Sequence, residues 1–235
     1  KTWAGLPLAF QPGTAWCYSV STDVLGRLVE VLSGQSLDVF LAERILGPLG
    51  MVDTAFGLAE DQRSRLAALH VPDPASRKAV RFDELAPVSR TVPSFLSGGG
   101  GLVSTADDYL RFCDFLLRQG ERNGVRLLSP RTVDYMTRNH LPGGSDLAGY
   151  ARSMFAETAY AGVGFGLGFS VVVDPAANKV LTSPGTFSWG GAASTGFYVD
   201  PVEEVTALFM TQLLPSSTWP LRSQLTQLVS QAILA

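Results

Sequence analysis

Pro12-Gly13-Thr14-Ala15-Trp16-Cys17-Tyr18-Ser19-Val20 runs directly into Ser21–Leu32, and the reading of this junction decides the rest. Proline beside glycine marks a turn. Beyond it, apolar residues recur at helical spacing at Val24, Leu25, Leu28, Val29 and Leu32, until Ser33-Gly34 stops the pattern. The stretch is a loop that delivers a tyrosine to the start of a helix. A phenol oxygen held there lies near helix-terminal N–H groups, whose partial positive charge favours the phenolate. A phenolate is a general base at neutral pH. An aromatic ring that only plugs a helix end would carry the same spacing, so the junction alone leaves both roles open for Tyr18.

Outward from this junction the first half reads as helical. Ser36 caps a second helix through Leu46, ended by Gly47-Pro48, and Asp61–Leu69 reads as a short helical turn. From His70 to Leu96 prolines and weak periodicity predict loop, with one short strand near Ala79–Phe82. Thr105 and Asp108 have capping-box spacing at the head of a third helix, which carries Leu110, Phe112, Phe115 and Leu116 and closes at Gln119-Gly120. Pro130–Asn139 predicts a fourth helix with proline in its first turn. Leu141–Ala161 is glycine-rich and irregular, a mobile rim loop on this reading. Asp23 is read as satisfying helix N–H groups.

The period changes in the last third. Gly164–Val173, Lys179–Ser183, Gly196–Val199 and Glu204–Thr211 read as strands, with turns at Asp174–Asn178 and Asp200–Glu203. Pro220–Leu234 reads as an amphipathic helix, apolar at Leu221, Leu225, Leu228, Val229, Ile233 and Leu234. The prediction is an α+β arrangement: a mainly helical region over 1–161, and antiparallel strands with a closing helix over 162–235.

Composition narrows the function classes. Among 235 residues, 46% are hydrophobic and 17% charged, which fits a globular chain with a sizeable core. A net charge of −3 gives no electrostatic footprint for nucleic acid, and the longest apolar runs are far short of a membrane span. Two cysteines, Cys17 and Cys113, form neither a disulfide framework nor a zinc pattern, and His70 and His140 are too few for a metal site. No metal or organic cofactor is expected. Cys17 is read as a small buried hydrophobe.

The glycine run Gly98–Gly101 lacks the Gly-Lys-Ser/Thr of a phosphate loop, and Leu167 breaks G-x-G-x-x-G across Gly162–Gly168. Both runs are assigned close packing. No G-x-S-x-G elbow occurs, and neither histidine sits in a setting for a Ser-His-Asp triad.

Five blocks together carry a resemblance. Phe10-Gln11-Pro12-Gly13-Thr14 with Tyr18-Ser19 and Asp23-Val24-Leu25-Gly26 comes first, then Pro48–Thr54, Ser97–Thr105, Gly164–Gly168 and Trp189-Gly190-Gly191. In this order the chain resembles the class C β-lactamase-like serine hydrolases of the penicillin-binding-protein fold, closest to the family VIII carboxylesterases. The resemblance implies an antiparallel sheet flanked by helices, with Tyr18 as the catalytic tyrosine. It implies Trp189-Gly190-Gly191 as the edge-strand motif facing the nucleophile, and the backbone N–H of Ala192 as one donor of the oxyanion hole. It also implies a serine nucleophile in S-x-x-K, but the only lysines are Lys1, Lys78 and Lys179, with Ala75 and Ala176 three before the last two.

The reading adopted is the C-terminal part of a longer serine carboxylesterase, whose N-terminal strands and nucleophile helix come from a missing segment, in cis or as a second chain. Those strands would lie beside Glu204–Thr211, which is otherwise an exposed apolar edge. Acyltransferase, β-lactamase or D-aminopeptidase chemistry on the same scaffold, and an inactive binding module, are the alternatives. Two glycines allow a ligand close to the backbone, and the family's lysine is replaced by Trp189, an apolar surface with one N–H. The expected partner is therefore a small neutral ester, in a cleft lined by Tyr18, Trp189 and Phe95 or Phe187.

Overall fold

A computed structural model describes residues 3–85, 92–153 and 160–233. The loop readings for 86–91 and 154–159 lie outside the described residues.

Helix α1 spans Ser21–Ser33 and ends on Gly34 in the left-handed conformation. The predicted second helix divides into Leu37–Leu41, a π-helical turn Ala42–Leu46 and Gly47–Leu49. Helix α2, Ala106–Leu117, starts at Thr105, whose Oγ1 accepts the Asp108 N–H at 3.2 Å. Asp108 does not complete a capping box. Its buried carboxylate accepts the Asp53 N–H at 2.7 Å and the Thr54 hydroxyl at 2.9 Å, and pairs with Arg111 at 3.1 Å. The Pro48–Thr54 block is thereby tied to α2.

The main sheet has five antiparallel strands: β1 Val163–Phe165, β2 Ser170–Val172, β3 Phe187–Gly190, β4 Gly196–Asp200 and β5 Val205–Phe209. They lie in the order β5-β4-β3-β2-β1, a meander. Three expectations are corrected here. Gly164–Val173 is a hairpin, turned at Gly168 with φ +97°. Lys179–Ser183 is no strand, because Asp174 caps a helical turn Pro175–Asn178 and Lys179 adopts the left-handed conformation. Phe187–Gly190 supplies the strand instead. It is interior, yet β2 pairs only with Ser188 and Phe187, so Trp189 and Gly190 pair with β4 alone.

Side-chain alternation sorts the sheet's faces. Val171, Phe187, Phe197 and Val199 join Cys113, Phe115 and Leu116 of α2, with Leu49, Met51 and Phe169, in one buried layer. Burial pushes the Cys113 thiol up to about 12. Cys17, by contrast, is only half-buried. The closing helix α3, Leu221–Ala232, contacts β4 and β5 from the other face; Leu228, predicted on its apolar side, is 66% exposed. The α1 stripe is also largely uncovered among the described residues: Val24, Leu25, Leu28 and Leu32 are exposed and Val29 is half-buried.

At the end of β4, Asp200 is buried and accepts N–H groups from Ser183 at 2.9 Å, Val202 at 3.1 Å and Glu203 at 3.2 Å. Burial alone would raise its carboxyl pKa, but these bonds outweigh it and hold the group below its ordinary value. A carboxyl depressed by folding contributes stability above its unfolded value, near 3.9, and loses it as pH falls through the folded value. Asp200→Asn should therefore cost about 1–3 kcal/mol at neutral pH and flatten the loss of stability below about pH 4, measured by denaturant titrations across pH.

Candidate active site

The segment before Tyr18 is built from turn and pairing contacts. The Thr14 N–H and hydroxyl both donate to the Gln11 carbonyl, at 3.2 and 2.7 Å. The Tyr150 hydroxyl donates to the Gly13 carbonyl, and Trp16–Cys17 pairs in parallel with Ala151–Ser153. Tyr18 then emerges just ahead of α1 and is 42% exposed.

The glycine run fixes α1 from the other side. The Ser97 hydroxyl donates to the Asp23 carboxylate and accepts the Gly99 N–H at 3.1 Å, so Asp23 anchors α1 to this loop. A methyl group on Gly98 would strike the Thr22 carbonyl, and one on Gly26 would lie 3.2 Å from the Gly98 Cα. The two backbones meet at a distance only glycine permits.

Four aromatic rings from distant parts of the chain then converge. Tyr18 stacks on Trp189 at 5.9 Å between centroids and 30° between planes. Trp189 meets Phe165 edge-on at 5.5 Å; Phe165 meets Trp16 at 5.2 Å, and Trp16 lies 6.2 Å from Tyr18. Trp189, Phe165 and Trp16 are half-buried, leaving the tyrosine as the most open of the four. Of the two further lining residues expected, Phe187 is 1% exposed and belongs to the core, while Phe95 packs edge-on against Trp3 at 5.8 Å.

The chain after Trp189 turns sharply. Gly191 donates its N–H to the Thr195 carbonyl at 3.0 Å, and Ser194 donates its own to the Gly191 carbonyl at 3.1 Å. Ser194 is buried with φ +72°, and its hydroxyl donates to the Leu213 carbonyl at 2.6 Å. Ala192, exposed, sits at the tip. The glycines here make room for the protein's own groups. A methyl on Gly190 would strike the Arg222 guanidinium, and one on Gly191 would lie 2.5 Å from Thr195 Oγ1. Arg222, from α3, donates through Nε to the Thr195 carbonyl at 2.9 Å and through Nη2 to the Gly191 carbonyl.

Tyr18, Trp189, Gly190, Gly191 and Ala192 thus lie along one short path. Sequence reading missed Trp16, Phe165 and Arg222. Trp16 and Phe165 stood inside quoted blocks but read as spacing, and Arg222 had no local signal. Among the described residues no cluster of histidine, cysteine or carboxylate groups suits a metal ion. His70 Nδ1 and His140 Nε2 each lie within hydrogen-bond distance of a backbone carbonyl, of Ala68 and Tyr135 respectively. No helix among the described residues is long and apolar enough to cross a membrane.

An antiparallel sheet with helices on both faces, and a tyrosine loop against its Trp-Gly-Gly strand, define a β-lactamase or penicillin-binding-protein-like α+β fold. The Beta-lactamase family profile matches residues 1–231, and the chain belongs to that family. It is 41% identical over 215 residues to Protein Rv1367c of Mycobacterium tuberculosis, covering 90% of this chain and 52% of the relative. It is 33% identical over 223 residues to Esterase EstB of Burkholderia gladioli, covering 88% and 52%. Simvastatin synthase (LovD) from Aspergillus terreus superposes with a TM-score of 0.82 at 23% identity, over 100% of this chain and 60% of that one. The chain spans about half the length of the curated relatives it matches. Those relatives include esterases and acyltransferases.

The Gly98 contact yields a paired test. Gly98→Ala should cost about 1–3 kcal/mol, because α1 must shift to admit the methyl. Gly100→Ala, where a Cβ meets nothing within 4 Å, should stay within about 0.5 kcal/mol. Denaturant midpoints of the two variants check this.

Proposed function

We propose that the protein is a serine carboxylesterase acting on small neutral, short-chain esters, with Tyr18 as general base and the Ala192 N–H in the oxyanion hole. The observation that carries the reading is the stacking of Tyr18 on Trp189, which puts the phenol beside the Trp-Gly-Gly strand. Tyr18 takes the proton from a serine hydroxyl, and the serine oxygen attacks the ester carbonyl. The Ala192 N–H, with the nucleophile's own N–H, holds the tetrahedral oxyanion; one such donor is typically worth about 3 kcal/mol. The alcohol leaves with the proton, and water releases the acyl group by the same route in reverse.

The serine and lysine of S-x-x-K come, on this reading, from a part of the protein beyond these residues, in cis or as a second chain. What supports this is the half-length match to the relatives and the uncovered apolar stripe of α1 next to Tyr18. The ring cluster supports the neutral substrate class. Trp16, Phe165 and Trp189 offer apolar area and no cation, so a carboxylate-bearing lactam gains nothing from the motif. Transfer of the acyl group to an alcohol in place of water is the second reading, favoured by relatives named as acyltransferases.

Tyr18→Phe in the full-length protein should lower turnover of p-nitrophenyl butyrate by at least about 100-fold; near-normal turnover removes Tyr18 from the mechanism. Ester turnover should also far exceed nitrocefin turnover. Comparable rates for the two would overturn the argument from Trp189.

A further inference from the structure

On the opposite side of the sheet from the rings, Arg222 lies across Gly190 and Gly196, which are register partners on β3 and β4. A Cβ on Gly190 would strike the guanidinium and one on Gly196 would sit 3.0 Å from Arg222 Cγ, so the paired glycines form a bed for this side chain. The planar fork then grips both carbonyls at the mouth of the β3–β4 turn, Thr195 through Nε at 2.9 Å and Gly191 through Nη2. The Gly191 carbonyl also accepts the Ser194 N–H at 3.1 Å.

The Gly191 carbonyl and the Ala192 N–H belong to one peptide unit. That unit is planar, and in the trans form its C=O and N–H point in opposite directions. Fixing the carbonyl toward Arg222 therefore fixes the Ala192 N–H away from α3. A charge-assisted bond to the carbonyl also polarises the peptide, because linked hydrogen bonds strengthen one another, and makes its N–H a better donor.

We propose that Arg222 is a positioning residue for the oxyanion hole, orienting and polarising the Gly191–Ala192 peptide from behind. The proposal rests on the reading of the Ala192 N–H as an oxyanion donor. It differs from a purely structural role in one respect: its loss should weaken binding of the tetrahedral state more than binding of the ester.

The test uses Arg222→Met, Arg222→Lys and Ala192→Pro in the full-length protein, with p-nitrophenyl butyrate as substrate and butylboronic acid as a tetrahedral-adduct probe. Arg222→Met should lower kcat by about 10-fold or more with KM within about 2-fold, and weaken the boronic acid by a similar factor. Arg222→Lys should recover part of the loss. If Ala192→Pro abolishes turnover while Arg222→Met keeps the wild-type kcat, the role of Arg222 is overturned and the oxyanion reading stands. If Ala192→Pro turns over normally, the oxyanion reading falls and the proposal with it. Should Arg222→Met fail to fold, Arg222→Lys decides: a lowered kcat at unchanged KM in a folded protein supports the proposal, and a wild-type kcat with a lowered Tm overturns it.

Discussion

One apolar layer, between α2 and the sheet, sets the register on which the candidate site depends. Phe187 is fully buried in that layer and fixes which residues of β3 face it. Because strand side chains alternate, Phe187 inward puts Trp189 on the same face and Gly190 on the opposite one. A slip of one residue would turn Ser188 into the core and carry Trp189 beneath α3, away from Tyr18. The partner strand is held as firmly: Val199, opposite Phe187, is 0% exposed. Packing energy thus fixes the position of Trp189, and the tyrosine loop only has to meet it.

The second requirement is that the loop arrive at the right height. Its path is set by several weak contacts, among them the Tyr150 hydroxyl on Gly13, the short pairing of Trp16–Cys17, and Asp23 with Ser97. The close approach of Gly98 to Thr22 and Gly26 adds a steric stop. Such contacts individually contribute on the order of 1 kcal/mol. Together they hold α1 although its apolar stripe is exposed, so the position of Tyr18 rests on polar and steric contacts more than on a core of its own.

The helical half was legible because its signals are local. The periodicity from Val24 to Leu32 and the cap at Thr105 lie where the structure has α1 and the start of α2. The sheet was less so. Gly164–Val173 read as one strand because valine and phenylalanine favour strands, while the turn at Gly168 is a backbone event with no side-chain period. Lys179–Ser183 looked extended, yet Asp174 spent its carboxylate capping Pro175–Asn178. Trp189-Gly190-Gly191 was placed on an edge strand by resemblance alone, and no strand was read from Phe187 onward, since the paired glycines break the alternation. Of the site, Tyr18 and Trp189 were visible as residue types in blocks. Arg222 was not, because the only trace it leaves in sequence is a glycine opposite a glycine across two strands, and register is not readable before the strands are paired.

That arrangement also bears on specificity. A cation on the ring side of β3, at the place of Trp189, would stabilise an oxyanion and equally recruit any substrate bearing a carboxylate. Arg222 stands behind the Gly191–Ala192 peptide, with Gly190 and Gly196 beneath its side chain. On the proposed reading its charge reaches the transition state only through the polarised peptide, and offers no ion pair to an anionic ground state. Binding energy that appears only as the oxyanion forms raises turnover without tightening the substrate. On that reading an aromatic wall on one side of β3 and a half-buried guanidinium on the other divide the work, apolar area selecting the neutral ester and the cation serving the tetrahedral state.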